Sequence, residues 1–196
     1  MFDGFECHHL DGAHSFYTGN LPSRLRPDVT VFDALWGMHP DAYHEIRLLR
    51  RTVRTPRWEQ AYGMDYEYTG QLHRSLPVPQ SLYPFLLWAR ESIDARLNGL
   101  LVNWYDGKLG HYNGKHRDSL INITEGVPFI IISLGEERIF RLRPLKGTGK
   151  VDFKASEGSV FLLPYATNLS WTHEVPRYKR FVGRRISVTL RGFDRG

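Results

Sequence analysis

The chain has 196 residues, 41% of them hydrophobic and 24% charged, ordinary usage for a globular protein long enough to bury one substantial core; a disordered or collagen-like chain is excluded. Lysine and arginine number 26 against 21 acidic residues, a net charge of +5 that favours a polyanionic partner without requiring one. The single cysteine excludes an intrachain disulfide, and no stretch approaches the roughly 18 apolar residues of a membrane span, so a soluble, cytoplasmic monomer is expected.

The opening residues, MFDGFECHHL, have neither a basic region nor an apolar stretch of the signal-peptide kind. Cys7, His8, His9 and His14 follow no standard metal-site spacing and are read as ordinary polar positions. PDAYHEIRLLRR at 40–51 starts with proline and places Tyr43, Ile46 and Leu49 three apart, which predicts a first helix. From Ser81 to Leu97, apolar Leu82, Phe85, Leu86, Ala89, Ile93 and Leu97 recur at three- and four-residue steps, which predicts a second helix stopped by Asn98-Gly99.

After Gly99 the helical period vanishes. LLVNWY, VPFIIISL, ERIFRLR, KVDFK, SVFLLP and RISVTLR alternate with Gly, Pro, Asn and Asp clusters, the pattern of an antiparallel sandwich or barrel. The expected fold is mainly β with flanking helices (α+β), a double-stranded β-helix of the jelly-roll type. The Gly-rich loop at 107–115 lacks P-loop spacing and a following helix, so it predicts no phosphate cradle.

His116-Arg117-Asp118 carries the chemistry. Read as a strand, it projects His116 and Asp118 from one face. A third ligand, His173, arriving on a neighbouring strand would complete two imidazoles and one carboxylate, a set that holds Fe(II) and leaves positions open. Arg185 and Arg191 follow on one apolar stretch, and guanidinium forks suit a dicarboxylate such as 2-oxoglutarate. Taken singly, each feature has a plainer explanation: an H-x-D triplet at a solvated strand end, a hydrogen-bonded core histidine beside Trp171, two arginines at strand ends. Their order distinguishes them, with His173 lying 55 residues after Asp118, Arg185 another 12 on and Arg191 six beyond that. Six extended residues span about 20 Å, so only one arginine is expected to grip the far carboxylate. Arg185, with Ser187 on its face, is that one, and Arg191 is expected to brace the keto-acid end or Asp118.

On these residues, with Asn103 and Tyr105 in LLVNWY, the strand pair VPFIIISLGEERIFRLR, GSVFLLP, WTHEVP and RISVTLR, residues 55–196 resemble the AlkB-like 2-oxoglutarate- and Fe(II)-dependent dioxygenases. The resemblance implies one dioxygenase domain over 1–196: about 1–98 as extension, lid and supporting helices, and about 99–196 as the jelly-roll core. It implies Fe(II), 2-oxoglutarate and O₂ as cofactor and co-substrates, His116, Asp118 and His173 as iron ligands, and Asn103, Tyr105, Arg185 and Arg191 as 2-oxoglutarate contacts; Ser187 joins them from its place on the strand face of Arg185. TPRWEQAYG and DYEYTG resemble the lid over a flipped base in members acting on alkylated nucleic acid. Arg57, Trp58, Tyr62, Tyr66 and Tyr68 are therefore candidate substrate contacts, although each aromatic equally suits a half-buried strand.

The implied activity is oxidative demethylation of alkylated DNA or RNA bases, with formaldehyde, succinate and CO₂ released, in a cytoplasmic, nucleoid-associated or nuclear setting. One departure stands out. Where repair members carry an acid two positions after the metal aspartate, this chain has Leu120, after Ser119. Leu120 is thus a further substrate-facing candidate, and it keeps open an alternative: an oxygenase of a small molecule, a free nucleoside or a protein side chain.

Overall fold

The computed structural model describes residues 2, 4–48, 51–68 and 70–194. The first half of the described chain runs β1 (Glu6–His9), β2 (Ser15–Asn20), α1 (Val29–Trp36), β3 (Glu45–Leu48), β4 (Arg51–Arg54), β5 (Trp58–Tyr62), β6 (Tyr66–Tyr68), β7 (Gln71–His73) and α2 (Tyr83–Ser92). The second half runs β8 (Gly99–Asp106), β9 (Asn113–His116), β10 (Phe129–Gly135), β11 (Arg138–Pro144), β12 (Val151–Ala155), β13 (Ser159–Leu163), α3 (Tyr165–Ser170), β14 (Trp171–Val175) and β15 (Arg184–Arg191).

Seven strands form a major sheet in the order β1-β2-β13-β10-β15-β8-β5, and four form a minor sheet, β12-β11-β14-β9, giving the two facing sheets of a jelly roll. The pairing follows from strict alternation. In β15, Ile186, Val188 and Leu190 join Val102 and Trp104 of β8 and Ile130 and Ile132 of β10 on one face, packed against Leu35 of α1 and Phe85, Leu86 and Ala89 of α2. Successive strand residues point to opposite faces, so Arg185, Ser187, Thr189 and Arg191 turn the other way, toward the minor sheet. Leu101, Tyr105, Phe129 and Ile131 on that side meet Phe140, Leu142 and Val175 from the minor sheet. The space between the sheets is therefore greasy at its edges and polar along β15.

The helix expected over 40–51 does not form. Its described part is one arm of an antiparallel hairpin in which Ile46 pairs with Val53 and Glu45 with Arg54; Leu49 and Arg50 lie outside the described residues. Apolar residues three apart mimic a helix over so short a run, and the β-branched cross-strand pair decides for the strand. A helix not anticipated, α1, starts at Asp28, whose carboxylate accepts from the Val31 amide at 2.8 Å as an N-cap.

The second helix lies within the expected span but ends early, because Asp94 accepts from the Arg96 amide at 2.9 Å and starts a turn. Asn98, expected as a helix stop, instead pins the end of β15: its side chain accepts from the Phe193 amide and donates to the Phe193 carbonyl, both at 2.8 Å. Nor is the jelly roll confined to 99–196, since β1, β2 and β5 supply three strands of the major sheet. No helix among the described residues is long and apolar enough to cross a membrane.

Candidate active site

A cavity of about 900 Å³ opens between the sheets, lined at one end by His116, Asp118 and His173 and at the other by Tyr105 and Arg185. His116 closes β9 directly opposite His173 of β14, so the strand register itself brings the two imidazoles to a ring separation of 4.2 Å. Asp118 follows just past the strand. One donor atom from each of the three lies within 4.8 Å of the others, a spacing a single ion can close.

The surroundings orient each donor. His116 Nδ1 donates to the Gly114 carbonyl at 2.7 Å, which leaves Nε2 for a metal. Asn168 of α3 clamps the Asp118 backbone on both sides, its Oδ1 accepting from the Asp118 amide at 3.0 Å and its Nδ2 donating to the carbonyl at 3.1 Å. The Tyr66 hydroxyl donates to Asp118 Oδ1 at 3.2 Å, and Arg191 makes a short charged hydrogen bond to the same oxygen. Asp118 Oδ2 stays buried with no hydrogen-bond partner among the described residues.

Charge follows from this packing. Burial alone would raise the Asp118 carboxyl, but Arg191, then His173 and His116, outweigh it and hold the group below the usual carboxylate range. Burial, with His173 beside it, pushes His116 down to about 3, and burial likewise lowers His173. Two neutral imidazoles and one carboxylate are the protonation states a divalent ion needs. The donor set fits Fe(II).

The opposite end fits 2-oxoglutarate. Arg185 is 0% exposed, its Nε donates to Ser133 Oγ at 2.9 Å, and its guanidinium carbon sits 5.0 Å from the Tyr105 ring centroid. Both terminal nitrogens, Nη1 and Nη2, have no hydrogen-bond partner among the described residues. A buried guanidinium left this way is strongly unfavourable unless an anion completes it, and a carboxylate matches its fork. Arg185 lies opposite Tyr105, and Ser187 opposite Asn103, in the β15–β8 ladder, so all four reach the cavity. Arg191, at the far end of the strand, is spent on Asp118.

The substrate-side candidates divide. Tyr66, Tyr68 and Leu120 line the cavity. Trp58 and Tyr62 do not, because they alternate onto the other face of β5: Tyr62 is buried in the helix-side core and Trp58 stacks on His39 at 4.1 Å. Arg57 reaches the cavity wall but is committed elsewhere, to Asn103 Oδ1 at 2.6 Å and Glu59 at 2.7 Å. Asn168, Ser133 and Glu59 were not anticipated. Asn168 sits in an unremarkable YATNLS stretch, and only the fold brings it to Asp118, 50 residues away.

A sequence profile of the 2OG-Fe(II) oxygenase superfamily matches residues 34–191, and the chain belongs to that superfamily. It is thus a dioxygenase that works with Fe(II), 2-oxoglutarate and O₂. Among its relatives, the mouse "DNA oxidative demethylase ALKBH2" is 26% identical over 165 residues, covering 76% of this chain and 67% of the relative. The human protein of that name is 28% identical, covering 76% of this chain and 61% of its own length, and the bovine one 28% with 58% of its length. The matched stretch thus spans roughly three fifths to two thirds of these relatives. The solved structure of OsALKBH1 superposes with a TM-score of 0.59 at 12% identity, covering 95% of this chain and 99% of that one, and so supports the AlkB-like fold.

Proposed function

We propose that this protein oxidatively demethylates alkylated bases of DNA or RNA, within a single domain whose first 98 or so residues add the lid and supporting helices as well as three strands of the jelly roll. His116, Asp118 and His173 hold Fe(II); Arg185 and Ser187 grip the far carboxylate of 2-oxoglutarate, with Asn103 and Tyr105 along its flank. The observation that carries this reading is the cavity itself, with a metal-donor triad at one end and, at the other, a buried guanidinium whose two terminal nitrogens have no hydrogen-bond partner among the described residues, in a chain related to proteins named for DNA demethylation.

Fe(II) bound with 2-oxoglutarate and O₂ supplies the oxidising power that hydroxylates a C–H bond, 2-oxoglutarate being converted to succinate and CO₂. The protein contributes placement. Asn168 and Tyr66 fix Asp118, Arg191 keeps it ionised, and the apolar wall of Leu101, Ile131 and Phe140 limits water at the reacting end. A methyl on a ring nitrogen, once hydroxylated, is a hemiaminal that loses formaldehyde without further help.

The base must leave its stack to enter. Arg191 covers one face of Tyr66 at 4.3 Å, and Tyr68 packs on His73 at 4.8 Å and on Tyr66 at 5.4 Å; both rings line the cavity and are the aromatic contacts offered to the base. Exposed Arg54, Lys115 and Arg117 also border the cavity and suit phosphates. Incubation with methylated oligonucleotides, 2-oxoglutarate and Fe(II) tests the proposal: formaldehyde and unmethylated product are expected, absent in Asp118→Ala. The second reading, an oxygenase of a small molecule, free nucleoside or protein side chain, is favoured by Leu120, an apolar residue on the wall that cannot accept from a base amino group. Succinate formation stimulated by such a compound, with no oligonucleotide turnover, would replace the first reading with this one.

A further inference from the structure

Next to the cavity the donor set recurs. His44 from the segment ahead of β3, Glu59 of β5 and His73 of β7 each bring one donor atom within 4.8 Å of the others. The arrangement resembles the first site, with one difference: Tyr66 and Arg191 share one oxygen of Asp118, whereas Tyr68 and Arg57 take separate oxygens of Glu59. His73 Nε2 lies 3.7 Å from Glu59 Oε1, as His173 Nε2 lies 3.6 Å from Asp118 Oδ2. Tyr68 donates to Glu59 at 2.6 Å as Tyr66 donates to Asp118, and Arg57 pairs with Glu59 as Arg191 pairs with Asp118.

The two histidines are left incomplete. His73 is 4% exposed, its ring centroid is 3.3 Å from that of His44, and neither Nε2 has a hydrogen-bond partner among the described residues. A buried ring nitrogen in that state costs free energy whichever tautomer is present. Burial, then His44 and Arg57, push His73 down to about 3, and burial lowers His44, so both imidazoles are neutral and able to coordinate. Arg57 does not oppose a cation here, because its charge is matched by Glu59, as that of Arg191 is by Asp118.

We propose that His44, Glu59 and His73 form a second site for a divalent first-row cation, with zinc the best match to two imidazoles, one carboxylate and a water. The ion takes no part in the oxidation. It ties three separate pieces of chain together: the segment ahead of β3, strand β5 and the β6–β7 hairpin that carries Tyr66 and Tyr68. The hairpin that presents Tyr68 to the substrate is thereby fixed.

The test is a metal count that does not depend on turnover. Full-length protein is stripped with a chelator, reloaded with excess Co(II), desalted to remove loosely held ion, and its cobalt measured by mass spectrometry alongside the visible spectrum. Two equivalents are expected for the wild type, one for His116→Ala/Asp118→Ala, and one for His44→Ala/His73→Ala. A wild type holding one equivalent overturns the proposal, as does a His44→Ala/His73→Ala protein that still holds two. Should the His44→Ala/His73→Ala chain fail to fold by circular dichroism, single His44→Ala and His73→Gln variants take its place. Each is then expected to lose one equivalent, and retention of both overturns the assignment.

Discussion

Asp118 is held by its backbone through Asn168 and at one carboxylate oxygen by Tyr66 and Arg191, and its other oxygen has no hydrogen-bond partner among the described residues. Replacing it with alanine should abolish iron-dependent succinate production while leaving the circular dichroism spectrum unchanged; turnover in the variant would refute its role. Asn168→Ala removes two hydrogen bonds that position the ligand, and losses from such supporting residues run to about 10–100-fold in metal affinity. A titration giving wild-type iron affinity would show that Asn168 is only structural. Arg185→Lys keeps the charge but loses the fork. A charge-assisted hydrogen bond is worth about 1.5–3 kcal/mol, so the KM for 2-oxoglutarate should rise roughly tenfold or more, and further in Arg185→Ala. The triad and Arg185 are legible in sequence because chemistry restricts which residue types suffice. Asn168 and Ser133 are not, since a polar side chain becomes a clamp only through the company the fold gives it.

At the scale of elements, alternation decides function. Trp58 and Tyr62 share β5 with Glu59 and Ala61, yet the two sets face opposite sides. Trp58→Ala should lower the melting temperature with less than a twofold change in oligonucleotide KM, whereas Tyr68→Ala should weaken the substrate by about 1–3 kcal/mol if a base stacks on it. Equal effects of the two on KM would contradict the assigned faces. Long strands such as β8 and β15 and the striped helix α2 are legible because their periodicity persists over eight or more residues. Short elements are not: Val29-Thr30-Val31 carries β-type residues at the start of a helix, and 40–51 carries a helical spacing across a hairpin arm. In both places tertiary pairing overrides the local preference.

At the scale of the whole molecule, pH acts through the buried histidines. His116, His173, His73, His44 and His111 all have pKa values lowered below the ordinary 6.5, mainly by burial. The unfolded chain therefore binds more protons than the folded one below about pH 6.5, and stability falls as pH drops from there toward about 3, where His116 and His73 protonate in the folded state. The metal-free protein should melt progressively lower between pH 7 and 5; a flat profile would mean these imidazoles are not buried in solution. Salt acts through the rim: Lys115→Ala should weaken oligonucleotide binding and reduce the slope of log K against log salt by about one.

Strand β15 serves two masters, with Ile186, Val188 and Leu190 in the helix-side core and Arg185, Ser187, Thr189 and Arg191 along the cavity. Its parity is therefore a shared clock. Deleting one residue from its middle would advance every later side chain by half a beat, turning Leu190 toward the cavity and Arg191 into hydrocarbon. Loops around the cavity can change length and retune the substrate, but this strand cannot, because a frameshift there erases the catalyst and the scaffold in the same stroke.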